Sequence, residues 1–149
     1  MSIYIATDHR GIELKNYLIK MLSNDYNVVT SDVENWDEDD YPDFAFDVCS
    51  KMSKDEDYGV LICGNGVGIS IAANKVKGIR CGRVVSVDDA IQAKEHNHCN
   101  VIAIPASMDK DMALEVVLAF VKTNKSYVDR HLRRVNKIIA YENGEYNEL

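Results

Sequence analysis

The chain has 149 residues, enough for one domain with a sizeable core, and its 46% hydrophobic against 28% charged residues mark an ordinary globular sequence rather than a disordered one. Its 24 acidic and 17 basic side chains leave a formal net charge of -7, which argues against broad binding to nucleic acid or anionic membranes but leaves room for a small local basic site. No apolar run approaches the roughly 18 residues of a membrane span and no basic-then-apolar leader opens the chain, so the expected location is the cytoplasm.

"SIYIAT" (Ser2 to Thr7) is a β-branched and aromatic run, followed by the turn "DHRG" and by "IELKNYLIKML", whose Ile12, Leu14, Leu18, Ile19 and Leu22 recur near helical spacing. "YNVVTSD" reads as a second strand, and Pro42 sits where proline is welcome, in the first turn of a helix. Between them, "ENWDEDD" (Glu34 to Asp40) reads as a solvated acidic loop. "YGVLIC", "GIRCGRVV" and "NVIAIP" are further strands, each followed by a helical stretch: "VGISIAANK", "DDAIQAKEH" and "KDMALEVVLAFVKT". Five strand-helix units joined by short loops predict a parallel sheet with helices on both faces, a Rossmann-like three-layer sandwich, because right-handed crossovers are strongly preferred. An extra C-terminal helix follows, with Leu132, Val135 and Ile139 on one stripe and Ile138 beside it, free to pack on a neighbour. No repeat, linker or second domain interrupts residues 1–149.

Ligands in open α/β sheets bind at the carboxyl ends of the strands. Asp8 and His9 fall there after the first strand, and Cys63 with "GNGVG" (Gly64 to Gly68) after the third. The glycine loop has neither the lysine of a P-loop nor the spacing of a dinucleotide fingerprint. Its backbone N–H groups at a helix N-terminus suit a phosphate, a carboxylate or a transient oxyanion, and a plain tight turn is the equally open structural reading. Cys63 would sense the same positive end, which favours the thiolate, a base or nucleophile. Cys49, Cys81 and Cys99 read as small buried apolar residues, and the absence of any C-x-x-C pair argues against a zinc site or a redox motif. His9 and His96 are candidate acid/base groups by their near-neutral titration, while His98 and His131 read as structural. His96 and Asn97 end a helix rather than a strand, so only folding could bring them near the site, from within the chain or from another subunit. Arg130 and Arg134, four apart, share a helix face that fits a phosphate grip or simply a solvated surface.

"ATDHRGIELK", "LICGNGVGISIAANK", "GIR", "EHNHCNV" and "DRHLRRV" together resemble the B-type ribose-5-phosphate isomerases, in the family that also holds the galactose-6-phosphate isomerase subunits. The resemblance covers nearly the whole chain and implies a cofactor-free, metal-free aldose-ketose isomerase of the pentose phosphate pathway acting through a cis-enediolate. By that likeness Cys63 moves the proton between C2 and C1. The N–H groups of Gly64, Asn65, Gly66, Val67 and Gly68 face the developing oxyanion, and His96 opens the sugar ring. Asp8 and Asn97 would hold hydroxyls, and His9, Arg130 and Arg134 the phosphate. The resemblance also implies a homodimer or dimer of dimers, with each site assembled from two subunits.

Several residues depart from the family pattern. Asn65 stands where many members carry threonine or serine. A branch with "GSGNGE" has asparagine there too, but replaces the cysteine with serine and uses a glutamate base where this chain has Val67. Arg10 replaces a small residue, and Pro105 and Ser107 fall where glycine and a phosphate-binding arginine are common. Arg10, or else Arg83 or Lys110, is expected to supply the missing charge. The alternatives are the same chemistry on galactose or allose 6-phosphate, and a phosphosugar sensor without turnover. A thiol redox protein is disfavoured because no second cysteine lies near Cys63 in sequence.

Overall fold

A computed structural model describes residues 1–147. In chain order the elements are β1 (Ser2–Thr7), α1 (Ile12–Leu22), β2 (Asn27–Thr30), α2 (Tyr41–Lys51), β3 (Tyr58–Cys63), α3 (Val67–Asn74), β4 (Cys81–Arg83), α4 (Val87–Asn97), β5 (Val101–Pro105), α5 (Lys110–Lys122) and α6 (Asp129–Glu142). The sheet order is β2-β1-β3-β5-β4, and every pairing is parallel, as the alternation of strands and helices predicts. The strand expected at "GIRCGRVV" shortens to Cys81–Arg83. Upstream of it the Arg80 N–H goes to the Asn100 side chain at 2.9 Å, so the strand begins one residue later.

Side chains alternate across each strand and feed two cores. Ile3, Ile5, Val60, Ile62, Ile102 and Ile104 point to the side covered by α1, α4 and α5. Ala6, Leu61, Cys63, Val101 and Ala103 point to the side covered by α2 and α3. β3 and β5 are buried along their inner residues, which is why they read as continuous apolar runs rather than as an alternation.

α4 carries a buried cation that its sequence does not advertise. Lys94 is 1% exposed; its Nζ donates to the Phe120 carbonyl at 3.0 Å and lies 3.7 Å from the Tyr58 ring centroid. That carbonyl is among the last of α5, where helix acceptors lack internal donors, so Lys94 caps one helix from another and fixes the end of α4 that bears His96. Burial pushes the Lys94 ammonium down to about 8.

α6 buries Val135 and His131, while Leu132 and Ile139 are half-covered and Ile138 is exposed. The expected stripe is therefore only partly used within this chain. No helix among the described residues is long and apolar enough to cross a membrane.

Candidate functional site

The chain turns from one side of β1 to the other after β2, so the carboxyl ends of β1 and β3 form the point where an α/β sheet opens a crevice. A cleft of about 530 Å³ lies there, lined by Asp8, His9 and Arg10 from the first turn, Asp39, Asp40 and Tyr41 from the start of α2, and Cys63, Gly64, Asn65 and Gly68 from the third. Asp8 and Cys63 end adjacent strands and are 5% and 4% exposed. The Asp8 carboxylate accepts the Arg10 backbone N–H at 3.0 Å, which tightens the turn that presents His9.

The loop after β3 is shaped by its glycines. Gly66 has φ +80°, in the left-handed region, and a Cβ there would stand 3.1 Å from the carbonyl carbon of Ile104 in β5. Position 66 therefore needs glycine both for its backbone angle and for its close approach to the sheet. A Cβ on Gly64 would meet the Arg10 guanidinium, and one on Gly68 the Tyr41 ring, so both side chains lie directly over the loop. The Asn65 side chain accepts the N–H of Val67, the first residue of α3, at 3.0 Å, while the Asn65 carbonyl accepts Arg83 Nε at 2.7 Å. Among the described residues no acceptor engages the backbone N–H groups of Gly64, Asn65 or Gly66. A short row of donors is thus left open beside the thiol, with the N–H of Val67 removed from it.

The segment from Glu34 to Asp40, expected to be a solvated acidic loop, is not uniformly so. Asp39 is buried, and its carboxylate accepts the His9 backbone N–H at 2.8 Å, the Asn35 amide at 2.9 Å and the Trp36 backbone N–H at 3.1 Å. It also lies 2.7 Å from His9 Nδ1. Burial opposes its charge, but the hydrogen bonds from Asn35 and His9 outweigh that and hold its carboxyl below the usual range. The same contact raises the His9 imidazole from its ordinary value, with desolvation and, more weakly, Arg10 opposing. Asp39, Asp40 and Tyr41 were illegible as site residues. The only hint was Pro42, which starts α2 and fixes where the chain re-enters the cleft.

His96 belongs to a second group. Its ring stacks on His131 at 4.4 Å between centroids, and His131 Nδ1 pairs with Ser126 Oγ at 3.0 Å. Burial lowers the His131 imidazole, and His96, Arg130 and Arg134 add to the effect while Glu95 opposes it, so His96 and the two arginines lie together around His131. Asn97, exposed at the end of α4, lines a separate groove of about 860 Å³ along β4 with Arg83, Ile138 and Tyr141. α4 starts beyond the carboxyl end of β4 and ends before the amino end of β5, whereas Cys63 pairs with Pro105 at the far end of β5. The run from Val101 to Pro105 alone spans about 13 Å at roughly 3.3 Å per residue, so His96 and Cys63 of one chain sit at opposite ends of the sheet. The predicted residues thus fall into two groups: Asp8, His9, Cys63, Gly64, Asn65 and Gly68 lining the cleft, with Gly66 and Val67 in the same loop, and His96, Arg130 and Arg134 together elsewhere, with Asn97 in the groove beside β4.

Acidic side chains, a thiol, open N–H donors and two basic groups around one cleft can bind a hydroxylated anion and move a proton on it. Among the described residues no group of three or more His, Cys, Asp or Glu side chains is arranged to hold a metal ion.

A model of the ribose/galactose isomerase family matches residues 3–138. A ribose-5-phosphate isomerase B of Mycolicibacterium paratuberculosis is 38% identical over 146 residues, covering 95% of this chain and 92% of that one. The crystal structure of ribose-5-phosphate isomerase B from Mycoplasma genitalium with bound ribulose-5-phosphate superposes with a TM-score of 0.87 at 41% identity, over 95% of this chain and 96% of that one. The Clostridium thermocellum ribose-5-phosphate isomerase B gives 0.88 at 37% identity, over 97% and 99%.

Proposed function

The chain belongs to the ribose/galactose isomerase family, and from that premise we infer that it is an aldose-ketose isomerase interconverting ribose 5-phosphate and ribulose 5-phosphate. The observation that carries this is the cleft itself: a thiol at the end of β3 beside three open N–H donors, with Asp8, His9 and Arg10 on the facing turn. Residues 1–149 act as a single sugar-phosphate isomerase domain, a reading supported by the family match and by one continuous sheet.

In the proposed mechanism Asp8 holds a sugar hydroxyl, and the Cys63 thiolate takes the proton from C2 of the open-chain aldose. The electron pair moves to form the cis-enediolate, and the oxygen that gains charge meets the N–H groups of the loop. The hydroxyl proton on O2 passes to O1, and as the electron pair returns to make O2 the ketose carbonyl, Cys63 gives its proton back at C1. Both half-steps use one base on one face of the intermediate, and neither calls for a cofactor. His96 of a second copy opens the ring, with Asn97 beside it holding a hydroxyl; Arg130 and Arg134 of that copy reach the phosphate.

The need for a second copy rests on the separation of the two groups along the sheet. A two-fold related chain running the other way brings its amino-end group to this chain's carboxyl-end cleft. The unpaired edge of β4, the exposed Val67, Ile71, Val85, Ile138 and Tyr141, and the groove along β4 supply a surface for it. The pairing is a homodimer, or a dimer of dimers. A reducing compartment suits the four unbridged thiols, and we place the enzyme in the cytoplasm.

Arg10 is the strongest candidate for the extra phosphate charge. It lines both the cleft and an adjoining depression of about 350 Å³ that also contains His9 and Lys110, whereas Arg83 Nε is already committed to Asn65. Arg10→Ala is expected to raise KM for ribose 5-phosphate about tenfold with kcat changed less than about threefold, the signature of lost ground-state binding. An unchanged KM removes Arg10 from the role.

The test of the function is the rate of ribulose 5-phosphate formation in the presence of a chelator, run beside allose 6-phosphate and galactose 6-phosphate. Higher kcat/KM on ribose 5-phosphate is expected. Preference for a 6-phosphate shifts the substrate within the family, and tight binding of ribose 5-phosphate without turnover of any sugar overturns catalysis in favour of a sensor.

A further inference from the structure

Asp39 presents a puzzle that the mechanism leaves untouched. A site for a sugar phosphate should avoid negative charge, yet its cleft already holds Asp8 and Asp40, and its basic lining residues are only His9 and Arg10. Asp39 adds a third carboxylate, with a side chain 3% exposed. Such a group is retained only where its charge is matched by donors. Four donors meet it, and two of them, the backbone N–H and Nδ1, belong to His9. Asn35 also donates to the Thr7 carbonyl at 2.9 Å, which clasps the loop to the end of β1 and holds Asp39 at this one place.

We propose that Asp39 is a positioning residue: it fixes the His9 ring through Nδ1 and thereby presents Nε2–H of an imidazolium to the phosphate of the substrate. With Nδ1 committed as a donor, Nε2 is the ring atom left for a ligand, and among the described residues it has no partner. The carboxylate supports the positive ring as an acid partner orients and charges an imidazole in other proton-handling sites. The pair is neutral overall, but its cationic end lines the cleft, so the substrate meets the positive end of a dipole with the carboxylate behind it. The inference rests on the sugar-phosphate reading of the cleft.

The groups facing His9 are Asp39, Asp8 and Arg10, then Asp40 and Tyr41 across the cleft, and Glu13, Tyr17 and Lys110 across the adjoining depression. The hydrogen bond to Asp39 is the strongest influence and raises the His9 imidazole. The sign follows: affinity for the anion is full while His9 is protonated and falls as pH rises through its raised value. In Asp39→Asn that fall moves to lower pH.

The test reads His9 directly. Histidine labelled with carbon-13 gives four ring signals, and the one missing in His9→Gln is His9. Asp39→Asn should shift its titration down and raise KM for ribose 5-phosphate about tenfold at pH 7, with kcat changed less than about threefold. Asn35→Ala loosens the clasp but spares the pair, and should leave the His9 titration near its native position. An unmoved His9 titration in folded Asp39→Asn overturns the proposal, and so does an equal shift in Asn35→Ala, which marks a merely structural loop. Should Asp39→Asn not fold, the native protein labelled at aspartate decides: the Asp39 carboxyl signal must show an inflection at the His9 titration, and its absence refutes the pairing. Inorganic phosphate, used as the probe, should raise the His9 titration further in the native protein whether or not any sugar is turned over. Failure of the isomerase assay and failure of Asp39 are therefore read separately.

Discussion

Cys63→Ala is expected to lower kcat for ribose 5-phosphate by at least about 10³-fold, the scale on which removing a positioned base acts. The fold should survive. Cys63 packs in the core with Ala6, Leu61 and Ile69, but losing one sulfur atom leaves a void smaller than a deleted leucine would, at about 1 kcal/mol against a stability of roughly 5–15 kcal/mol. Circular dichroism and thermal melting check that condition. A thiol that merely filled the core would predict the opposite pattern, a small loss of stability and turnover within a few-fold of native. Alkylation gives independent access to the same question. Burial pushes the Cys49 thiol up to about 12 and the Cys99 thiol up to about 11, and raises that of Cys81 as well, so these three are poor nucleophiles near neutral pH. Iodoacetamide should inactivate the enzyme in step with modification of Cys63, and ribulose 5-phosphate should protect it.

The parts of this protein that are legible in its sequence are those set by local pattern. β3 and its glycine loop announce themselves because an apolar run ending in Cys63 is followed by residues that few other conformations accommodate, and Gly66 does adopt the left-handed angle the loop requires. The parallel sheet follows from alternation and chirality alone. Asp39 was hidden for a physical reason: in a run of acidic residues, burial of one carboxylate depends on donors 3, 4 and 30 positions away in Trp36, Asn35 and His9, which no local period encodes. Lys94 was hidden in the same way, since its acceptor Phe120 is 26 residues distant and lies on another helix. His96 is legible as a polar helix end, but its distance from Cys63 depends on the direction of α4, which becomes fixed only when β4 takes the edge of the sheet and β5 the inner position. A sequence therefore exposes the chemistry carried by one turn more readily than chemistry divided between ends.

That division permits a sharper experiment than any single variant. His96→Asn alone is expected to lose about 10²-fold or more in turnover of the cyclic sugar, because ring opening loses its acid/base group. If each site takes Cys63 from one subunit and His96 from the other, a heterodimer of Cys63→Ala with His96→Asn has one site in which both residues are altered and one in which both are native. Random exchange of equal amounts makes half of the dimers mixed, and half of the sites in those are native, so activity should return to about one quarter of that of the unaltered protein. Two inactive preparations would become active on mixing, after brief partial denaturation to allow exchange. If instead both residues served the same chain's cleft, every site in the mixed dimer would carry one altered residue and the mixture would stay inactive. The two arrangements thus differ by a factor set by counting rather than by energetics, and the result does not depend on how far either variant falls below native. An active His96→Asn homodimer would remove His96 from ring opening. In that case Arg130 and Arg134 would keep only the proposed phosphate contact, and the proposed second copy would still be what brings them to the cleft.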